Sequence, residues 1–373
     1  MKISIPSFIN NYLSDEAIEV LQKKKALHLD RYKNLSLVRL TSDFRSFPRG
    51  TVFHEKGFIP GYRRIMRVMH LENGINRYYK KERFYVEEKV DGYNARVAVI
   101  DGTPVALSRG GFICPFTTSR IPDLIDMNFF KKYPGFTING EVVGPGNPYN
   151  TEKIPYVKED VVFFAFDLSD RDGRILPPDE RCDILQKFRI SQSNSWGPFN
   201  AEDIKKIKEI VLHLNNENRE GIVIKSLSNE KTIKYVTLSS CLNDLLATAS
   251  LMAELPAGFY VQRILRAVFF SREFGIKLDD YYLLNSARAL YLSHAEVLEE
   301  VDKGGNVTED FQINVKDEQV VYELMNHFNR LGIISKLFSV EKTNKYYVAR
   351  FQKIYTKGSK DIRRKLNGHG FFD

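Results

Sequence analysis

The string Glu87-Glu88-Lys89-Val90-Asp91-Gly92-Tyr93-Asn94-Ala95-Arg96 sets a lysine, then Asp-Gly, in the connection between two predicted strands. A lysine amine is a nucleophile only after losing its proton. Nearby cations, a metal ion or desolvation must therefore depress its pKa. K-x-D-G arises by chance in roughly one protein of this length in ten to twenty, and alone it reads equally well as an exposed turn beside a solvated lysine. Its company adds weight. Downstream come Ser108-Arg109-Gly110-Gly111, Asn139-Gly140-Glu141-Val142-Val143-Gly144 and Phe163-Phe164-Ala165-Phe166-Asp167. Glu220-Gly221-Ile222-Val223-Ile224-Lys225 and Ile233-Lys234-Tyr235 follow. Each predicted strand carries one polar residue able to handle a nucleotide.

The elements that must hold these residues are mainly strands, expected at 84–88, 95–100, 103–108, 137–142, 161–167, 221–225 and 232–236. Asp101-Gly102 is a strong hairpin signal between the second and third of these. On such a strand Lys225 shares a face with Val223, while Ile222 and Ile224 turn to the other side. Residues 1–83 are mixed, with a helix expected over 15–27. Residues 239–301 change to helical periodicity, with Leu242, Leu245, Leu246 and Ala249 at i, i+3, i+4 and i+7. A helix near 317–331 and strands near 334–341 and 345–354 close the chain. The class is α+β with a β-rich centre. The expected division is a basic N-terminal module (1–83), a core (84–238), a helical domain (239–306) and a small α+β domain with a basic tail (307–373).

Composition narrows the classes. The 373 residues are 43% apolar and 27% charged, which excludes a mostly disordered chain. No run of 18 apolar residues exists, so no membrane partner is expected, and the N-terminal residues lack the apolar core of a signal peptide. Three scattered cysteines predict a reducing, cytoplasmic setting without a disulfide framework. Net charge is +8, and residues 1–83 alone hold 17 basic and 8 acidic residues, a balance of +9. Basic and aromatic residues interleave there (Tyr62, Arg63, Arg64; Arg77, Tyr78, Tyr79, Lys80, Lys81), which suits a phosphate backbone with stacked bases as well as a solvated surface. A second basic cluster runs from Arg350 to Lys365.

In this order the strings over residues 84–237 resemble the covalent nucleotidyltransferases, the ATP-dependent ligases and mRNA capping enzymes. K-x-D-G matches Lys89 to Gly92, and E-G-x-V-x-K matches Glu220 to Lys225. Many DNA ligases and capping enzymes carry arginine five residues after the lysine. Here Asn94 stands in that place and Arg96 follows. Gly140-Glu141 with Gly144-Pro145-Gly146 looks like the G-E-x-x-G-P-G stretch of RNA ligases. No R-x-D-K motif closes the chain, and helices stand where an OB barrel would follow. The whole chain most resembles the archaeal-type ATP-dependent RNA ligases. That resemblance implies a nucleotidyltransferase core of antiparallel sheets (an ATP-grasp-like ligase adenylation core) with an N-terminal module, a helical dimerisation domain and a small C-terminal domain.

It also implies roles. Lys89 would attack the α-phosphorus of ATP. Lys225 and Lys234 would hold the α-phosphate, although the K-x-K of many relatives is here Lys234-Tyr235-Val236. Phe166 would stack on adenine, with Phe164 as its rival on the same face. Glu141 and Glu220 would meet ribose hydroxyls or metal-bound water, Glu220 being the better ligand for Mg²⁺, with Mn²⁺ as a substitute. Arg109 would hold the ribose or steer an acceptor phosphate. Glu88 would read the adenine amino group, and Asn94 would orient the terminal ribose of RNA. Each has a bland counterpart: a solvated lysine, a core aromatic, a surface ion pair or a turn asparagine. The dense apolar segment with Phe259, Tyr260, Ile264, Leu265, Val268, Phe269 and Phe270 suits intrachain packing as well as dimerisation, so a homodimer rests on the resemblance. The expected activity joins the 5′-phosphate and 3′-hydroxyl of single-stranded RNA, circularisation included. A DNA ligase, a capping guanylyltransferase and a catalytically silent RNA-binding protein are the alternatives.

Overall fold

The computed structural model describes residues 5–150 and 155–370. It groups the chain into two compact units, Met1–Ile65 with Gly92–Val143 and Val162–Ser193, and Met66–Asp91 with Gly144–Val161 and Asn194–Asp373.

The first unit is built on two four-stranded antiparallel sheets. One is a meander of Leu27–Tyr32, Leu35–Leu40, Val52–His54 and Gly57–Ile59. The other places Val162–Ser169, Thr137–Val143, Tyr93–Ile100 and Thr103–Ser108 side by side in that order. Asp101 and Gly102 both have left-handed φ (48° and 75°), the conformation that a two-residue hairpin of this twist requires. Leu35, Leu37, Val52 and Ile59 of the meander pack against Ala98, Ile100, Val105 and Leu107 of the second sheet. Each such side chain taken from water contributes about 1.5–3 kcal/mol. Arg96, fully buried, ties the same two sheets together by donating to the carbonyls of Gly50 (2.8 Å), Ser108 (2.9 Å) and Pro60. Both terminal nitrogens are thereby satisfied, as burial of an arginine demands, while its buried Nε has no hydrogen-bond partner among the described residues.

The second unit contains a five-stranded sheet ordered Ser195–Phe199, Phe84–Lys89, Gly221–Ser226, Thr232–Val236 and Met66–Arg67, antiparallel except for the last pair. Alternation divides its faces. Phe84, Val86, Ile222, Ile224, Ile233 and Tyr235 enter one hydrophobic core with helices Leu71–Tyr79, Ile204–Asn216 and Ala257–Phe274. The opposite side is left to Glu87, Lys89, Lys225 and Lys234. Helices Leu238–Ala247, Ala257–Phe274 and Asp280–Asp302 fill the expected helical stretch. Gly275, at φ 64°, closes the second, and the Asp279 side chain accepts from the Tyr282 amide at 2.8 Å to open the third. A three-stranded antiparallel sheet, Val307–Val315, Tyr347–Tyr355 and Ile334–Lys342 in spatial order, carries helices Gln319–Arg330 and Thr356–Leu366.

Candidate active site

Lys89 ends its strand and donates to the Glu220 carboxylate. The register explains the meeting: Lys89 is paired with Gly221, the first residue of the neighbouring strand, so Glu220 stands immediately beside it. Gly221 has φ +148°, and a Cβ there would lie 2.2 Å from the Tyr235 carbonyl oxygen. Only glycine lets the strand approach so closely. The Thr237 side chain donates to the Arg219 carbonyl at 2.6 Å, and the Thr237 amide to that of Glu220 at 2.9 Å, fixing the approach to the strand. Burial pushes the Glu220 carboxyl up to about 7, and the charge of Asp91 adds to the rise while Lys89 opposes it.

Glu87 and Lys225 form a second ion pair at 2.7 Å on the same sheet face. Lys234 lies one strand further, in register with Val223, whose other partner is Glu87. Three lysines and two carboxylates thus share one face of one sheet. Glu88 points to the other side. It accepts from Arg219 (2.7 Å) and Asn194 (2.7 Å), and the Arg219 guanidinium stacks on the Tyr156 ring at 3.9 Å.

The first unit holds the remaining expected residues. Asn94 is the register partner of Glu141, and Glu141 is the register partner of Phe164, so these three make one row across the sheet. Phe166 follows at a bulge between Ala165 and Asp167. The Tyr62 ring stands edge-on to it, with centroids 5.2 Å apart, while the Tyr62 hydroxyl donates to Asp167 at 2.5 Å. Phe164 and Phe166 are both half-buried, so both present ring surface. Arg109 is exposed just beyond the strand Thr103–Ser108. Gly92 of K-x-D-G has a physical reason: a Cβ would lie 2.4 Å from the Val142 carbonyl oxygen.

Sequence reasoning missed Glu87, Arg219 and Tyr156, and named Tyr62 only within a basic, aromatic segment suited to stacked bases. Period-two alternation from Lys89 was the available signal for Glu87; Arg219 and Tyr156 show no local pattern. Among the described residues no three His, Cys, Asp or Glu side chains gather as a protein-only metal site. Glu220, within electrostatic reach of the Asp91 carboxylate, offers the hard oxygen donors that Mg²⁺ takes beside substrate phosphates. These residues therefore fit the expected cation.

The RNA ligase family profile matches residues 82–236, and that of the C-terminal region of the ligase Pab1020 matches 247–369. Among solved structures, a protein provisionally named an ATP-dependent DNA ligase, from Aquifex aeolicus, is 35% identical over 96% of this chain and 100% of its own, with a TM-score of 0.89. An archaeal ATP-dependent RNA ligase is 26% identical over 98% of this chain and 100% of its own, with a TM-score of 0.90. An uncharacterised protein of Methanocaldococcus jannaschii is 27% identical over 92% of this chain and 91% of its own. The fold and the lysine-bearing sheet define a nucleotidyltransferase-type ligase. Within that class the chain belongs to the archaeal-type ATP-dependent RNA ligase family, and it is an RNA ligase. No helix among the described residues is long and apolar enough to cross a membrane.

Proposed function

We propose that this ligase consumes ATP to join an RNA 5′-phosphate to a 3′-hydroxyl in three displacements at phosphorus. First, the Lys89 Nζ lone pair forms a bond to the α-phosphorus, the bond to the bridging oxygen of pyrophosphate breaks, and lysyl-AMP results. Second, a 5′-phosphate oxygen of RNA attacks the same phosphorus and releases Lys89, leaving an RNA-adenylate. Third, the RNA 3′-hydroxyl attacks the activated 5′-phosphate, loses its proton and expels AMP. Positioning and charge neutralisation supply most of such catalysis.

The observation that carries this reading is the Lys89–Glu220 contact on a face that also bears Lys225 and Lys234. Lys89 must shed a proton before it attacks, and nearby cations, Lys225 and Lys234 among them, favour its neutral form. Lys225 and Lys234 act on the α-phosphate as point charges. Glu220 would hold Mg²⁺ or Mn²⁺, which when bound neutralises phosphate charge. Phe166, Glu141, Arg109 and Glu88 bind the nucleoside, and Asn94 orients the RNA ribose. The substrate is single-stranded RNA. One strand carrying both ends presents them to each other at high effective concentration, which favours circles. The working form is a homodimer in the cytoplasm.

The substrate test compares 5′-phosphorylated single-stranded RNA with nicked duplex DNA. Joined or circular RNA with little sealing of DNA supports the reading. Preferential DNA sealing would replace it with the activity named for the Aquifex aeolicus relative.

A further inference from the structure

A second group of cationic side chains lies in the same unit as Lys89 and has no role in the account above. Arg67 is the register partner of Lys234, so the two side chains leave the same face of the sheet. Arg263 and Arg266 are three apart on helix Ala257–Phe274, hence neighbours on one helix face. The Arg263 guanidinium is held by two contacts: its Nε donates to Asp244 at 2.7 Å and its Cζ lies 3.3 Å from the Phe259 ring centroid. The Nε of Arg266 is buried with no hydrogen-bond partner among the described residues. Burial pushes Arg266 down to about 10, and the charges of Arg67 and Arg263 push the same way. Cys241, among them, offers no counter-charge, because burial and Asp244 raise its thiol to about 12.

Three guanidinium groups thus share two close carboxylates, Asp244 and Glu220, an excess of 3 − 2 = 1 positive charge. Like charges crowded at half-buried positions are costly unless something neutralises them. We propose that Arg67, Arg263 and Arg266 form a binding site for a phosphate group, next to Lys234. Guanidinium forks match phosphate oxygens in pairs, and the remaining positive charge favours an anion. The proposal rests on the reading that the adjoining sheet face handles nucleotide phosphates. Two phosphates in that chemistry qualify: the pyrophosphate end of ATP and the 5′-phosphate of RNA.

The binding test uses no turnover. Wild type, Arg266→Gln and Arg266→Lys are titrated with inorganic phosphate and pyrophosphate at constant ionic strength, followed by thermal unfolding. Wild type should be stabilised by at least one anion, and Arg266→Gln should need about tenfold more of it or greater, with Arg266→Lys between. Without anion, Arg266→Gln should unfold at the wild-type temperature or above, because one of three crowded charges is gone. A lower unfolding temperature without anion, or equal anion affinity in all three proteins, overturns the proposal. Arg67→Gln repeats the test from the strand side.

Two reactions then identify the source. Slower pyrophosphate-driven loss of AMP from adenylylated Arg266→Gln assigns the pyrophosphate end. Slower transfer of that AMP to 5′-phosphorylated RNA assigns the RNA end. If wild type forms no adenylate yet binds the anion through Arg266, the ligation mechanism fails and the anion site stands.

Discussion

Glu87 and Lys225 form an ion pair 2.7 Å long in which each side chain is only 1% exposed. Two charges removed from water this completely are stable only together. Lys225→Met leaves a buried carboxylate without its partner and should cost roughly 3–5 kcal/mol. The double variant Glu87→Gln/Lys225→Met should recover much of that loss. Denaturant unfolding of the two single variants and the double variant measures the coupling. Additive losses would mean that the pair is not the reason the two side chains are buried. Joining activity should stay low in the double variant, since the fold regains its balance while the phosphate loses a cation.

Asn94 separates the chemical steps. It stands in register with Glu141, and its buried Oδ1 has no hydrogen-bond partner among the described residues. Asn94→Ala should form the lysyl adduct at close to the wild-type rate and join RNA about tenfold more slowly, the effect of losing one substrate hydrogen bond. Single-turnover assays of the adduct and of joining make the comparison. Equal loss in both would refute the division of labour.

Helices Ala257–Phe274 and Asp280–Asp302 expose Val261, Ile264, Leu265, Val268 and Phe269 on the first and Tyr281, Leu284, Tyr291 and Leu292 on the second. Apolar surface of this extent is the mark of an interface. Sedimentation should show a dimer for the parent protein and a monomer for Val268→Asp/Leu284→Asp. A parent protein that stays monomeric at micromolar concentration contradicts the expected assembly.

Much of this arrangement was legible in the sequence, for reasons particular to each element. The strand Thr232–Val236 alternates from Thr232 to Tyr235, and its limits coincide with expectation. Asp101-Gly102 declared the hairpin through its turn chemistry. The helix expected over 15–27 stops at Lys23, because Lys25 takes φ 52° and Leu27 begins a strand. The meander Leu27–Ile59 escaped notice since two of its strands are three residues long and carry no periodicity. Met66–Arg67 is two residues long and parallel, so only the assembled sheet shows it. Arg96 has no role assigned from sequence; its three carbonyl partners come from Gly50, Pro60 and Ser108, which no local pattern connects. The same holds for Arg219 with Glu88, 131 residues apart.

Lys353 supplies a pH prediction away from the site. It is 3% exposed, lies 4.2 Å from the Phe311 ring centroid and 5.0 Å from that of Phe328, and donates to the Tyr149 carbonyl at 3.2 Å. Burial pushes its amine down to about 8, against a smaller upward pull from Glu309. The rings favour the charged form and soften the shift. Between pH 8 and about 10.4 the unfolded chain keeps a proton that the folded chain has lost, so stability rises with pH there. The stability of wild type relative to Lys353→Met should therefore be lowest below pH 8 and improve towards pH 10. A difference independent of pH would mean that the amine titrates alike in both states.

The central claim is that Lys89 carries the nucleotide, and intact mass spectrometry tests it most directly. Parent protein and Lys89→Ala, both first freed of any carried-over AMP, are incubated with ATP and Mg²⁺. The account predicts an AMP-sized gain in the parent protein and none in Lys89→Ala. The same gain in both would place the nucleotide elsewhere, and no gain in a parent protein that binds ATP would contradict the lysyl-AMP mechanism itself.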